Sequence, residues 1–190
     1  MTHVSLTGNE EQRLIKRLQE GDITAAKEFY TRYADSLTGV CLRYIADRED
    51  VKDVVQNALV HIFTHIADFE YRKEGSLLVW TKKVVVNESL KYLRSRKQHE
   101  ELQENYEAVD ETDDTLSVSD IPPDMIRQLL NRLPTGYRTV LNLFVFEGMS
   151  HQEIARLLGI KKSSSASQLS RAKKLLAEII KKYNDNNSPR

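Results

Sequence analysis

Cysteine, glycine and proline are scarce in this chain of 190 residues. Its one cysteine, Cys41, has no second cysteine to pair with, so nothing in the sequence requires an oxidising compartment. Seven glycines and four prolines are few for a β-rich fold with frequent turns, and the long stretches free of both favour helices. No apolar segment typical of a signal peptide opens the chain, and no later run approaches the roughly 20 apolar residues that span a bilayer. We therefore predict a helical, cytoplasmic protein.

Patterns typical of catalysis and metal binding are also missing. The sequence has no glycine-rich phosphate loop and no serine–histidine nucleophile motif. His61 and His65 have a spacing that zinc can use, but no cysteine, third histidine or HExxH glutamate completes a site. We predict no catalytic residue, no metal, no cofactor and no small-molecule substrate, so an enzyme is the least favoured class.

Positive charge is missing from one segment and concentrated in the next. Residues 99–121 contain nine acidic residues and neither lysine nor arginine, whereas residues 122–190 contain twelve basic and five acidic residues. The acidic segment ends in Pro122 and Pro123 and has few large apolar residues, so burial cannot offset the entropy lost on ordering it. We predict a flexible acidic linker over residues 98–123. The basic C-terminal third predicts a polyanionic partner.

Apolar residues spaced three and four apart predict four helices on each side of this linker. The first four cover residues 10–20, 22–44, 47–67 and 76–96, with Asp22 and Ser76 as N-caps and with Cys41 and Trp80 in the core. The last four cover residues 124–133, 135–146, 151–158 and 164–183. The predicted fold is all-α, with two small helical domains over residues 1–97 and 124–183 and a disordered tail over residues 184–190.

Residues 150–180 carry the strongest local pattern, that of a helix-turn-helix. Ser150 and Glu153 form a capping box, Gly159 ends the first helix, and Ser163 or Ser164 caps the second. The apolar stripe predicted for the second helix consists of Ala166, Leu169, Ala172, Leu176 and Ile179. The polar residues of its opposite face are Ser164, Ser165, Ser167, Gln168, Arg171 and Lys174. Short hydroxyls, an amide and two cations suit base edges and phosphates, so we predict that this face binds DNA.

Two more polar faces are predicted in the N-terminal domain. On the third helix, an outer stripe consists of Asp50, Asp53, Gln56, Asn57 and Val60. On the fourth helix, one face consists of Lys83, Asn87, Lys91 and Arg94. A row of cations with one asparagine suits a DNA backbone track that carries a base-reading group.

The sequence resembles the bacterial sigma factors in both halves. Their region-four pattern, LP-x-x-x-R followed by EG-x-S-x-x-EIA-x-x-LGI, is matched at Leu133, Pro134, Arg138, Glu147, Gly148, Ser150, Glu153, Ile154, Ala155, Leu158, Gly159 and Ile160. Residues 50–56 resemble the DAEDLVQE motif of region two, and Trp80 with Asn87 fits its W-x6-N signature. The organisation of the chain, with only two domains and a short linker, resembles that of the extracytoplasmic-function (ECF) subfamily of sigma factors.

The resemblance implies a role in transcription initiation. It implies that Asp50, Asp53, Gln56 and Asn57 bind the β′ clamp helices of core RNA polymerase. It implies that the face of the fourth helix and the preceding loop bind the minus-ten element of promoter DNA, with Phe69, Tyr71 and Arg72 stacking on a flipped base. The helix-turn-helix would bind the minus-thirty-five element next to the polymerase β flap. The resemblance also implies an anti-sigma factor that covers these surfaces.

Two alternatives from other classes remain open at this stage. A helix-turn-helix regulator would bind specific DNA without polymerase, usually as a dimer, with its first domain used for dimerisation or ligand binding. An adaptor or inhibitor would bind polymerase but not promoters, so that substitution of Arg171 and Lys174 would leave its function unchanged.

Overall fold

The computed structural model describes residues 7–99 and 123–187, which form helices and their connecting turns without any β-strand. The chain divides into two compact units, residues 1–101 and residues 102–190. The predicted all-α fold is confirmed within these ranges. The predicted linker over residues 98–123 lies almost entirely outside them. In the same ranges, every helix is too short or too polar to cross a membrane.

The N-terminal unit contains four α-helices and one short 3₁₀ helix. They are α1 (Gly8–Gln19), α2 (Ile23–Cys41), α3 (Arg48–His65), the 3₁₀ helix (Ile66–Asp68) and α4 (Ser76–His99). The helix α2 packs against α1, α3 and α4, and α3 also packs along α4. Fully buried side chains at the centre include Phe29, Leu37, Tyr44, Ile62 and Leu90. The apolar spacing therefore predicted these helices and most of their buried faces, although Tyr30 and Phe63, which were predicted to be buried, are exposed, and Trp80 is partly exposed.

Aspartates cap two of these helices, and one of the two, Asp22, was predicted to do so. The Asp22 carboxylate accepts hydrogen bonds from the backbone amides of Thr24 (2.7 Å) and Ala25 (3.3 Å), which confirms Asp22 as the N-cap of α2. Hydrogen bonds from the Thr24 hydroxyl and from Arg17 lower the pKa of Asp22 well below its ordinary value. Asp47 caps α3 in the same way. Hydrogen bonds from two backbone amides in the first turn of α3 lower the pKa of Asp47 as well.

The helix α4 begins differently, and here the predicted cap is wrong. The Ser76 hydroxyl is buried and has no hydrogen-bond partner within the described residues. The amides of Gly75 and Leu77 instead donate to the carboxylate of Glu11 on α1, at 2.7 and 2.8 Å. Ser76 fails as a cap because it is already the first residue of the helix, one position too late to fold back on the first turn.

The C-terminal unit contains α5 (Pro123–Leu130), α6 (Thr135–Val145), α7 (His151–Leu158) and α8 (Lys162–Asn187). The helix α8 packs against all three others, and its last described turns extend four residues past the predicted end at Tyr183. The core is built around Leu129, Val140, Leu143, Ile154 and Ala172, each almost fully buried. The three short helices thus all pack against the one long helix, α8.

The buried stripe of α8 differs from the prediction near its N-terminus, and farther along the helix Ile180 is buried rather than the predicted Ile179. The helix begins at Lys162 rather than at Ser164, and the backbone of Lys161 accepts the first helical hydrogen bond, from the Ser165 amide. Its buried residues are Ser165, Leu169, Ala172, Leu176 and Ile180, while Ala166 is exposed. Ser165 is 0 % exposed, and its hydroxyl lies 3.1 Å from Nδ1 of His151 on α7. Its predicted place on the polar, DNA-facing side is therefore wrong, because it joins the two helices internally.

We expect Ser165→Ala to destabilise the C-terminal unit by about 1 kcal/mol relative to Ser167→Ala, because only Ser165 makes a buried hydrogen bond to another helix. Ser167 is exposed, and its hydroxyl donates to the backbone of its own helix. Both changes raise helix propensity by a similar amount, so that the comparison isolates the contact. Urea unfolding of the two variants measures the difference; equal stabilities would contradict the structural role of Ser165.

Candidate nucleic-acid interface

The helices α7 and α8 form the helix-turn-helix, and both predicted signals at the ends of α7 are confirmed. The Glu153 amide donates to the Ser150 hydroxyl, and the Glu153 carboxylate accepts from the Ser150 amide at 2.8 Å. Hydrogen bonds from the Ser150 hydroxyl and amide lower the pKa of Glu153. Gly159 ends α7 at φ +68°, a left-handed conformation that favours glycine. These two devices keep α7 short and direct the chain into α8.

Five of the six polar residues predicted to face DNA on α8 are at least partly exposed, and only the sixth, Ser165, is buried. Ser167 and Lys174 are exposed on it, and Ser164, Gln168 and Arg171 are partly exposed. The guanidinium of Arg171 lies 3.5 Å from the Tyr137 hydroxyl of α6, so this cation also contacts its own unit. Lys161 and Lys162, at the start of α8, are exposed as well. These two lysines are absent from the predicted DNA-binding face, because the helix was predicted to begin two residues later, at Ser164.

The predicted basic face of α4 is accessible along its length. Its four members, Lys83, Asn87, Lys91 and Arg94, are all exposed, and their spacing places them on one side of the helix. The Lys91 ammonium lies 3.7 Å from the Glu88 carboxylate; the Lys91 side chain is 78 % exposed, whereas that of Glu88 is only 15 % exposed. Val84, Val85 and Leu90 face the core. The arrangement is a row of solvated cations with one amide, held on a rigid helix.

The loop before α4 consists of residues 69–75 and differs in part from its prediction. The rings of Phe69 and Trp80 pack at 4.9 Å between centroids, and both side chains are partly exposed. Trp80 was predicted to lie in the core, and it instead supports Phe69 at the surface. Tyr71 is partly exposed and Arg72 is exposed. The three predicted base-stacking residues therefore belong to one short surface segment, although one face of Phe69 is already covered.

The outer stripe of α3 also divides in two. Asp53, Gln56 and Asn57 are exposed, and the neighbouring Val60 is 66 % exposed. Asp50 is only partly exposed, and its carboxylate accepts from Arg96 of α4 at 2.7 Å. Asp50 thus links the start of α3 to the C-terminal part of α4. The rest of the stripe forms no ion pair with the described part of the chain, and its carboxylate, amide and apolar groups have the composition of a protein-binding surface.

The two histidines of α3 do not complete a metal site with other residues in the described ranges, where no cluster of three potential ligands occurs. The imidazole rings of His61 and His65 stack at 4.2 Å between centroids. His65 Nδ1 donates to the His61 carbonyl at 2.9 Å, which occupies one ring nitrogen.

Comparison with known families assigns both units. Residues 29–99 match the family profile for sigma-70 region 2, and residues 124–176 match that for sigma-70 region 4. The first match contains α3, the 69–75 loop and α4, and the second contains the helix-turn-helix. Together they cover about two thirds of the chain.

Curated relatives match over nearly their whole length. The ECF RNA polymerase sigma-E factor of Haemophilus influenzae is 26 % identical over 90 % of this chain and 95 % of its own length. The RNA polymerase sigma-H factor of Pseudomonas aeruginosa is 24 % identical, over 92 % and 96 %. Among solved structures, the sigma factor RpoE of Bartonella quintana, in complex with the anti-sigma factor NepR, is 20 % identical, with 82 % and 96 % covered and a TM-score of 0.49. By its two matched regions and the two curated sigma factors that it matches over nearly their whole length, this chain belongs to the ECF sigma factors.

Proposed function

We propose that this chain binds core RNA polymerase in the bacterial cytoplasm and directs it to specific promoters. The observation that carries the proposal is the exposed face of α4, with Lys83, Asn87, Lys91 and Arg94, inside the matched region 2. Cations in a row suit the phosphates of one DNA strand, and the amide of Asn87 suits a base edge. We assign this face, with Tyr71 and Arg72 of the 69–75 loop, to the minus-ten element.

The other contacts follow from the remaining surfaces. We assign Asp53, Gln56 and Asn57 to the β′ clamp helices of polymerase, because they form an exposed polar stripe that makes no ion pair with residues 7–99 or 123–187. Ser164, Ser167, Gln168, Arg171 and Lys174 are assigned to the minus-thirty-five element, next to the β flap. The acidic segment between the two DNA-binding units would follow a basic channel of the polymerase by charge complementarity. An anti-sigma factor would keep the protein inactive by covering these surfaces.

In this scheme the chain performs no chemistry of its own. Polymerase forms the phosphodiester bonds, and the sigma factor supplies binding energy that selects and opens the promoter. Phosphate contacts position the protein, whereas base contacts select the sequence.

The experiment that tests the proposal mixes the purified full-length chain with core RNA polymerase and a library of genomic promoter fragments from the same bacterium, and maps transcript starts. We expect starts that need the chain, and we expect Asp53→Arg to abolish them by opposing the polymerase contact while leaving the unfolding midpoint unchanged. Glu20→Arg, an equal charge reversal at an exposed site on unit 1, serves as the control. A specific DNase footprint by the chain alone, without new starts, would favour a conventional regulator instead.

A second prediction concerns the basic face of α4. We expect Lys83→Gln to weaken holoenzyme binding to the recovered promoter and to reduce the slope of log affinity against log salt by about one, because one phosphate contact is lost. Lys16→Gln, which removes an exposed lysine of α1, is expected to leave that slope unchanged. Fluorescence anisotropy of labelled promoter DNA across a salt series gives both slopes; indistinguishable slopes for the two variants would remove Lys83 from the DNA contact.

A further inference from the structure

The helix α1, which lies entirely outside both matched regions, contacts the 69–75 loop at both of its ends. Before the loop, the side-chain amide of Gln19 donates to the carbonyl of Ile66 (3.1 Å), and at the loop's first residue it donates to the carbonyl of Phe69 (2.9 Å). Near its end, the Gly8 amide donates to the Glu74 carboxylate at 3.1 Å. The twelve residues of α1 span about 18 Å, so the two ends of one rigid helix hold the two ends of the loop.

Position 8 of α1 also touches the middle of the loop. A Cβ atom on Gly8 would lie 2.9 Å from the Tyr71 hydroxyl, closer than real Cβ contacts allow. The backbone of α1 therefore lies beside Tyr71, and a side chain at position 8 would have to displace the Tyr71 hydroxyl. Tyr71 is one of the residues assigned above to the flipped base, so α1 limits the space that its side chain can occupy.

Glu11 is the strongest of these tethers. It is 2 % exposed, and its two carboxylate oxygens accept separately from the amides of Gly75 and Leu77. Gly75 has φ +80°, so the chain makes a left-handed turn at the point where Glu11 holds it. A carboxylate at the first turn of α4 is further stabilised by the positive end of the helix dipole. One side chain thus sets both the end of the loop and the start of the basic helix.

We infer that α1 positions the minus-ten-reading loop, with Glu11 and Gln19 as its positioning residues. This inference rests on the proposed function. A loop held at both ends loses less conformational freedom when it captures a base, and it presents Tyr71 and Arg72 in one arrangement. Release of either end leaves polymerase binding intact, because the α3 stripe is elsewhere, but it weakens the discrimination between minus-ten sequences.

The test compares full-length variants on the promoter recovered above and on copies with single substitutions in the minus-ten element. The readout is the ratio of initiation rates on the original and substituted promoters, with polymerase affinity measured separately. We expect Glu11→Gln to reduce this ratio about tenfold, because the amide supplies one acceptor where the carboxylate supplies two and carries no charge. Gln19→Ala, which removes two neutral hydrogen bonds at an exposed position, is expected to reduce it about threefold.

Gln12→Ala is the matched control for Gln19→Ala, since Gln12 is exposed on the same helix and is expected to leave the ratio unchanged. If circular dichroism shows that the Glu11→Gln variant does not fold, the ratio measured for Gln19→Ala tests the inference instead. Unchanged ratios in folded variants, with a wild type that does discriminate, would overturn the inference and leave the proposed function standing. A wild type that supports no initiation would overturn the proposed function, and the inference with it.

Discussion

The start of a helix leaves backbone amides without partners inside the helix, and the need to satisfy them organises much of this protein. Asp22 and Asp47 do so from the residue before the helix, and Ser150 does so with the reciprocal help of Glu153. The helix α4 depends instead on Glu11, which is 64 residues away from Gly75 in the sequence. Its first turn is therefore complete only when α1 has packed, which couples the N-terminal helix to the most basic face of its unit.

The N-terminal unit presents two separate polar surfaces, one on α3 and one on α4. The helix α4 carries cations on its exposed side and an apolar core on the other, while α3 keeps a separate polar stripe. Asp50 and Arg96 join the two helices by an ion pair, so the two surfaces are held by one scaffold. Under the proposed function, this scaffold would relate the polymerase-binding surface to the DNA-binding surface, and the precision of base recognition would depend on how firmly the 69–75 loop between them is held.

Much of this architecture follows from local rules. The apolar spacing predicted all eight helices, since a buried stripe has to recur every three or four residues whatever it packs against. The signals at Ser150, Glu153 and Gly159 were also reliable, because capping boxes and left-handed glycines act within a few residues. The exposed positions of Lys83, Asn87, Lys91 and Arg94 followed in the same way, being opposite the core stripe of one helix.

Local sequence patterns are sufficient to predict the fold class, the helix-turn-helix and the basic face of α4, because each depends on contacts or periodicities within one or two helices. The roles of the remaining polar groups depend on the tertiary structure. The spacing along α8 predicts a DNA-facing Ser165, but Ser165 is buried against His151; the sequence also predicts Ser76 as a cap, but Glu11 accepts the hydrogen bonds there. In both cases the partner comes from another helix, and the spacing of residues along one helix carries no information about which hydrogen-bonding group a second helix brings against it.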